Sequence, residues 1–235
     1  MRTLTGVKGW QKTSFIDFPG TVSTVLFFSG CNLRCPYCHN PQLVNGGSDR
    51  EEGIDATVVQ GYCVARKGKL TGVVLSGGEP TLHAESAAIA GWFRGLGYRI
   101  KLDTNGLLPR RIDDIAPDYL ALDIKANPRA YGTLLGCRYG DARERLRESV
   151  DKVRSLGGNA EIRITTAPGI ADEKSIESIG RLIEGVSLVY LQPLRQRAPL
   201  LDPAWNAVRP LEREQVRRMR DLLLTWVQRV EIRGD

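Results

Sequence analysis

Six times along this chain a short run of β-branched and aliphatic residues gives way to a stretch with helical spacing. That alternation restricts the fold more than any other feature. The strands are expected at Thr21–Phe28, Leu70–Leu75, Tyr98–Leu102, Tyr119–Ile124, Ala160–Thr165 and Ser187–Leu191. Helices are expected at Ile54–Arg66, where Ile54, Val58, Val59 and Tyr62 recur at helical spacing, at the alanine-rich Ala84–Leu96, and near Pro109–Ile115. Further helices follow at Asp141–Leu156, near Asp172–Glu184 and at Leu211–Val227. Asp141 and Glu144 suit the first turn of their helix as a cap and its capping-box partner, and Gly157-Gly158 stops it. Strands alternating with helices imply parallel pairing through right-handed crossovers. Unbroken apolar strands such as "VVL" and "YLALDI" suit a sheet covered by helices. Six units are too few to close an eight-stranded barrel. The expected fold is α/β: an open partial (β/α)6 barrel with parallel strands and helices outside, in a single domain over residues 1–235. Its core spans about 18–192, and a proline-rich loop and last helix fill 193–235.

At 42% hydrophobic and 26% charged, the chain has the composition of a globular protein rather than a disordered one. The apolar run Val22–Phe28 is too short to cross a bilayer, and "MRTLTGVKGWQK" lacks the apolar centre of a secretion signal. A cytoplasmic protein with reduced thiols and no membrane partner is therefore expected. The formal charge of +6 does not imply a nucleic-acid partner: in "DARERLRESVDKVR" and "LEREQVRRMRDLL" the arginines alternate with acids, as on solvated helix faces. No basic run is interleaved with aromatics.

Parallel α/β folds gather functional groups at the C-terminal ends of their strands. Here those ends carry cysteines after the first strand, "GGEP" after the second, "DTNG" after the third, Asp123 and Lys125 at the fourth, Arg163 and Thr165 at the fifth, and Gln192 at the sixth. The cysteine loop, "GCNLRCPYCHN", holds three of the five cysteines and one of the two histidines. Cys35 to His39 matches the C-x-x-C-H pattern of haem attachment, but that reading lacks an export signal, has only His83 as a further histidine and leaves Cys31 unused. A structural zinc site needs four ligands; His39 directly follows Cys38, and no second C-x-x-C is present. Cys31, Cys35 and Cys38 as thiolate ligands of a 4Fe-4S cluster use all three cysteines and leave one iron open to a substrate. Cys63, beside apolar helix positions, and Cys137, in "LLGCRYG", are read as non-ligands.

Together the C-x-x-x-C-x-x-C loop, with Tyr37 before its third cysteine, and the "GGEP" after the next strand resemble the radical S-adenosylmethionine (SAM) enzymes. "SFIDFPG", "GCNLRCPYCHN", "SGGEPTL", "LDTNG", "LDIK" and "TTAPGI" resemble, more narrowly, the glycyl-radical-enzyme activases. Among these the likeness is to the compact anaerobic ribonucleoside-triphosphate reductase activating proteins, and it covers about Gly9 to Gln192. The resemblance implies a barrel of the radical SAM type, a 4Fe-4S cluster on Cys31, Cys35 and Cys38, and S-adenosyl-L-methionine cleaved reductively to a 5′-deoxyadenosyl radical. It implies as partners a glycyl radical enzyme and a low-potential electron donor such as flavodoxin or ferredoxin. It places Tyr37 and the backbone of Cys38 and His39 against adenine. Gly77 and Gly78 would let the methionyl end approach closely, with Glu79 on its ammonium or supporting the turn. Asp123 and Lys125 flank Ile124 and so share one side of a strand, where they would meet ribose, ammonium or carboxylate. Asp103 is expected beside them, and Arg163, sharing a face with Thr165, would pair with the SAM carboxylate. Where some activases carry a histidine after the sixth strand, this chain has "LQPLRQ", so Gln192 and Arg195 are the candidates there. His39 and His83 are expected to be local structural residues rather than bases. A small-molecule radical SAM enzyme, like 7-carboxy-7-deazaguanine synthase, and an activase of pyruvate formate-lyase are the alternative activities. The "SFIDFPG" and "CHN" flanks argue against the small-molecule reading.

Overall fold

The computed structural model describes residues 3–45, 53–196 and 200–234, so residues 197–199 of the proline-rich loop lie outside the described residues. The chain forms two compact units. The first comprises Met1–Cys31, Gln42–Thr104 and Arg110–Tyr119; the second comprises Asn32–Pro41, Asn105–Pro109 and Leu120–Asp235.

Along the first unit run β1 (Thr3–Leu4), β2 (Val7–Ser14), β3 (Ser23–Phe28), β4 (Ile54–Asp55), β5 (Gly72–Gly77) and β6 (Arg99–Thr104), with helices α1 (Pro41–Asn45), α2 (Ala56–Val64), α3 (Ser86–Gly95) and α4 (Pro109–Ile115). β3, β5 and β6 are parallel, in register Leu26 with Leu75 and Leu75 with Leu102. These strands are almost wholly buried because their aliphatic residues are covered on both faces. Phe18, Val25, Val74 and Tyr119 form one core cluster. β2 runs antiparallel along β3 and was not anticipated; its middle is exposed and its register shifts twice. Lys8 and Lys12 are the charges that keep such an edge from pairing with another chain. Trp10 anchors it, donating its indole N–H to Thr24 Oγ1 at 2.7 Å.

The second unit carries β7 (Tyr119–Asp123), β8 (Ala160–Thr166), β9 (Leu188–Pro193) and β10 (Arg229–Ile232), with α5 (Tyr131–Leu135), α6 (Ala142–Leu156), α7 (Ile176–Leu182) and α8 (Arg213–Leu223). β7–β8, β8–β9 and β9–β10 are all parallel pairs. The six expected strands are thus β3, β5, β6, β7, β8 and β9, each end within two residues of its expected place. The fold class is the expected one, a mostly parallel α/β arrangement that is open rather than closed.

Several local expectations are corrected. α8 stops at Leu223, and the chain turns back to form β10 where a helix through Val227 was expected. Asp172–Ser175 is a turn, with Asp172 accepting from Gly169 N and Lys174 N, and α7 begins only at Ile176. Asp141 makes no capping hydrogen bond; its carboxylate accepts from Arg145 Nε at 2.7 Å instead. The Gly157 stop does form, with φ at +54°.

Candidate active site

In the first unit β3 ends at Phe28 and leads through Ser29 and Gly30 to Cys31. The "GGEP" turn is bolted onto this exit: Gly78 N donates to Phe28 O and Glu79 N to Gly30 O, both at 2.8 Å. A Cβ on Gly78 would sit 2.1 Å from Gly30 O, and Gly77 has a φ of +117°. The glycines are therefore required by the protein's own backbone beside Cys31, before any ligand is considered. Glu79 is 1% exposed and caps the following 3-10 turn, accepting from Thr81 N at 3.0 Å, Thr81 Oγ1 at 2.6 Å and Thr104 Oγ1 at 2.7 Å. Of its two expected roles, supporting the turn is the one these contacts display. His83 Nε2 bonds Ser29 O at 2.7 Å, a local structural contact. At the end of β6, Asp103 pairs with the buried Lys101 and accepts from Ser76 Oγ at 3.0 Å. Cys63 is fully buried on α2, and burial pushes its thiol up to about 11, which keeps it protonated.

In the second unit, Tyr37 reaches the loop that follows β7, while His39 and Cys38 meet the chain beyond β9. Parallel pairing sets Asp123 opposite Arg163, and the guanidinium grips the carboxylate with Nε at 2.8 Å and Nη2 at 3.0 Å. Lys125 Nζ lies 3.1 Å from the same carboxylate, while Ile124 between them is fully buried. Burial alone would raise the Asp123 carboxyl; Arg163, then Lys125, outweigh it and hold it well below the ordinary carboxylate range. For Lys125 burial pulls down, but the Asp123 carboxylate raises the ammonium overall. Two tyrosines fix the Lys125 backbone. Tyr37 donates its hydroxyl to Lys125 O at 3.0 Å, and Lys125 N donates to Tyr131 Oη at 2.8 Å. Burial raises both phenols far above their usual range, so both stay protonated. Tyr131 belongs to no motif, and nothing in the sequence beyond its nearness to "LDIK" points to it.

His39 Nε2 meets Arg195 O at 2.7 Å, which joins two of the expected residues through a backbone carbonyl. Thr165 and Gln192 are register partners on β8 and β9, both half-buried. The segment from Leu201 to Ala207 was not expected as a site element. Leu201 N donates to Cys38 O and Asp202 N to Pro36 O, both at 3.0 Å, and the Trp205 ring lies 5.7 Å from that of Tyr37.

The chemistry of the donor set tests whether a cluster fits. Cys31, Cys35 and Cys38 form no disulfide, and each is half-buried. Leu107 N donates to Asn105 Oδ1 at 3.1 Å, which turns the Asn105 amide nitrogen toward Asn32 Oδ1 at 2.7 Å. Asn32, next to Cys31, is thereby left with a buried Nδ2 that has no partner. An orphaned donor inside a loop of soft thiolates suits an acceptor such as a sulfide of an iron–sulfur cluster. Cys137 Sγ instead donates to Tyr139 O at 3.9 Å. Among the described residues no helix is long and apolar enough to cross a membrane.

The Radical SAM superfamily profile matches residues 25–182. A Methanocaldococcus jannaschii protein whose name provisionally assigns it to glycyl-radical enzyme activation is 28% identical over 234 residues, covering 97% of this chain and 95% of the relative. The pyruvate formate-lyase-activating enzyme of Clostridium pasteurianum is 30% identical over 185 residues, 75% of each chain. The solved structure of TYW1 with a lysine-pyruvate adduct bound superimposes with a TM-score of 0.57 over 86% of this chain and 72% of that one; at 18% identity it speaks for the fold alone. With its cysteine loop, its glycine turn and two thirds of its length inside the family profile, the chain belongs to the radical SAM superfamily.

Proposed function

We propose that the protein is a glycyl-radical-enzyme activase whose partner is an anaerobic ribonucleoside-triphosphate reductase. The near full-length similarity to a relative named for glycyl-radical enzyme activation carries this reading. The choice of reductase over pyruvate formate-lyase rests on the motif likeness; the run between Cys38 and "GGEP" contains no further cysteine-rich insertion, which implies a single cluster. Cys31, Cys35 and Cys38 would hold a 4Fe-4S cluster, with the Asn32 amide as a donor to it. When bound, the cluster and SAM supply the reductive chemistry that yields a carbon radical able to take hydrogen from a glycine.

This chain's residues bind and orient. Arg163 and Lys125 present cationic donors beside Asp123, the charge pattern that an amino-acid end of SAM complements. Because the Asp123 carboxylate already engages both cations, leaving one net positive charge, SAM would enter by exchange with that carboxylate. Tyr37 and Tyr131 hold the Lys125 backbone in place during that exchange. Gln192, Thr165, His39 and Arg195 are proposed contacts to the adenosine, and Gly77 and Gly78 to the methionyl end. No general base is required, since hydrogen is moved as an atom.

The test is anaerobic incubation of the iron-loaded chain with SAM, a low-potential reductant and, separately, the reductase or pyruvate formate-lyase. A glycyl radical doublet by electron paramagnetic resonance with the reductase alone is the expected result. A doublet only with the lyase would reassign the partner; SAM cleavage with neither would overturn the activase reading.

A further inference from the structure

The second unit concentrates positive charge in a concave place that the proposed chemistry does not use. A cavity of about 320 Å³ opens between α6, α7 and the 3-10 turn Pro128–Ala130, and its lining includes Arg129, Arg143, Arg147, Lys174 and Arg181 against one carboxylate, Glu177. Glu177 is committed to Arg181 at 2.7 Å. Among the described residues the other four cations make no ion pair. Several helical arginines elsewhere are paired, although among the described residues Arg94 on α3 and Arg213 on α8 make no ion pair either. Arg145 pairs with Asp141, Arg154 with Asp151 and Arg217 with Glu214. Asp151 stands one turn beyond Arg147, where it could neutralise it, yet it turns to Arg154. Arg143 and Arg147, four residues apart on α6, instead present like charges on one face, which destabilises a helix when nothing compensates.

Uncompensated cations around a concavity attract a counter-anion of matching shape. Guanidinium forks suit phosphate oxygens, and cations from three elements suit several linked phosphates better than one. A neighbouring cavity of about 450 Å³ shares Arg129 and Arg143 and is bounded by Tyr139 and Gly140, so a group attached to the phosphates has room beside them. We propose that this cavity binds a polyphosphate chain, supplied either by a nucleoside triphosphate or by inorganic tripolyphosphate.

Calorimetric titration of the cluster-loaded, full-length chain with tripolyphosphate, a nucleoside triphosphate and inorganic phosphate tests this. Saturable one-to-one binding of the first two is expected, with orthophosphate far weaker. Charge reversal by Arg143→Glu with Arg147→Glu should weaken binding by at least about tenfold, through the loss of two charge-assisted contacts. Arg217→Glu on α8, which changes net charge away from the cavity, should leave it unchanged. Tighter binding of the nucleotide would assign its nucleoside to the neighbouring cavity; equal affinity would assign the phosphate chain alone. Both support the site. If the double reversal fails to fold, Arg129→Ala with Lys174→Ala carries the same expectation. Absence of saturation, equal weakening by Arg217→Glu, or saturation only by an acidic peptide would overturn the proposal.

Discussion

Single residues show where a motif's meaning comes from. The period-two rule places Asp123 and Lys125 on one side of a strand from sequence alone, but the grip of Arg163 on Asp123 depends on the β7–β8 register, which no local pattern encodes. The depressed Asp123 carboxyl gives a pH prediction. Its stabilising contribution is present above the ordinary carboxylate value and is lost as pH falls below about 4 toward the folded-state value. Asp123→Asn should therefore lower the urea unfolding free energy at pH 7 by about 1.5–3 kcal/mol and flatten its decline in acid. An unchanged acid slope would assign that decline to other carboxylates. "SFIDFPG" likewise divides by residue: Phe18 is 1% exposed in the core, whereas Phe15 and Ile16 are 77% and 88% exposed. Phe18→Ala should cost about 3–5 kcal/mol, while Phe15→Ser should stay within about 0.5 kcal/mol in the same assay. Gly78→Ala, which drives a Cβ into the Gly30 carbonyl, should cost more than about 1 kcal/mol because backbone, not a side chain, must give way.

Elements were legible where their residues are buried on both faces and obscure where they are edges. β5 and β7 announce themselves as aliphatic runs. β2 and β10 carry polar residues on an open side, and "RVEI" is four residues of alternation beside a much stronger helical signal. That short strand nonetheless holds the sheet edge: Arg233 N donates to Leu191 O, and its guanidinium meets the buried Glu161 at 3.0 Å and the Tyr190 ring at 4.1 Å. Truncation after Gln228 should uncover β9, whose exposed N–H and C=O row invites pairing with other chains. Light scattering should then show aggregation on mild heating well before the intact chain. The strap from Leu201 to Ala207 was hidden for a different reason. Its proline-rich sequence has no periodicity, and its place over Pro36 and Cys38 is set by two backbone hydrogen bonds and the Trp205 contact with Tyr37. If the strap shields the cysteine loop, Trp205→Ala should speed the removal of iron by a chelator severalfold with little change in circular dichroism.

At the scale of the whole molecule the question is what the fold owes to the group it is proposed to hold. Small zinc domains unfold without their metal because they have too little core of their own. This chain has 235 residues, and each unit buries its own aliphatic strands: Val73, Val74, Leu75, Ile100 and Leu102 in the first, Leu120, Leu122, Ile162, Ile164 and Leu191 in the second, all fully buried. Cys31, Cys35 and Cys38 stand apart from those runs and are only half-buried. Stripping iron should therefore leave the strands and helices standing and act on the cysteine loop, where the orphaned Asn32 donor and the Tyr37–Trp205 pair report the change. The expected outcome of chelation under anaerobic conditions is loss of the visible iron–sulfur absorption and a shift in tryptophan fluorescence, with far-ultraviolet circular dichroism retained. Trp205→Phe should remove most of that fluorescence shift, because Trp10, Trp92 and Trp226 belong to other parts of the chain. Asn32→Leu should weaken iron retention and lower the unfolding free energy of the iron-free chain by no more than about 1–3 kcal/mol, since it deletes an unpaired donor but also removes the acceptor of the buried Asn105 amide. A collapse of secondary structure on iron removal would place the cluster within the core and overturn this account.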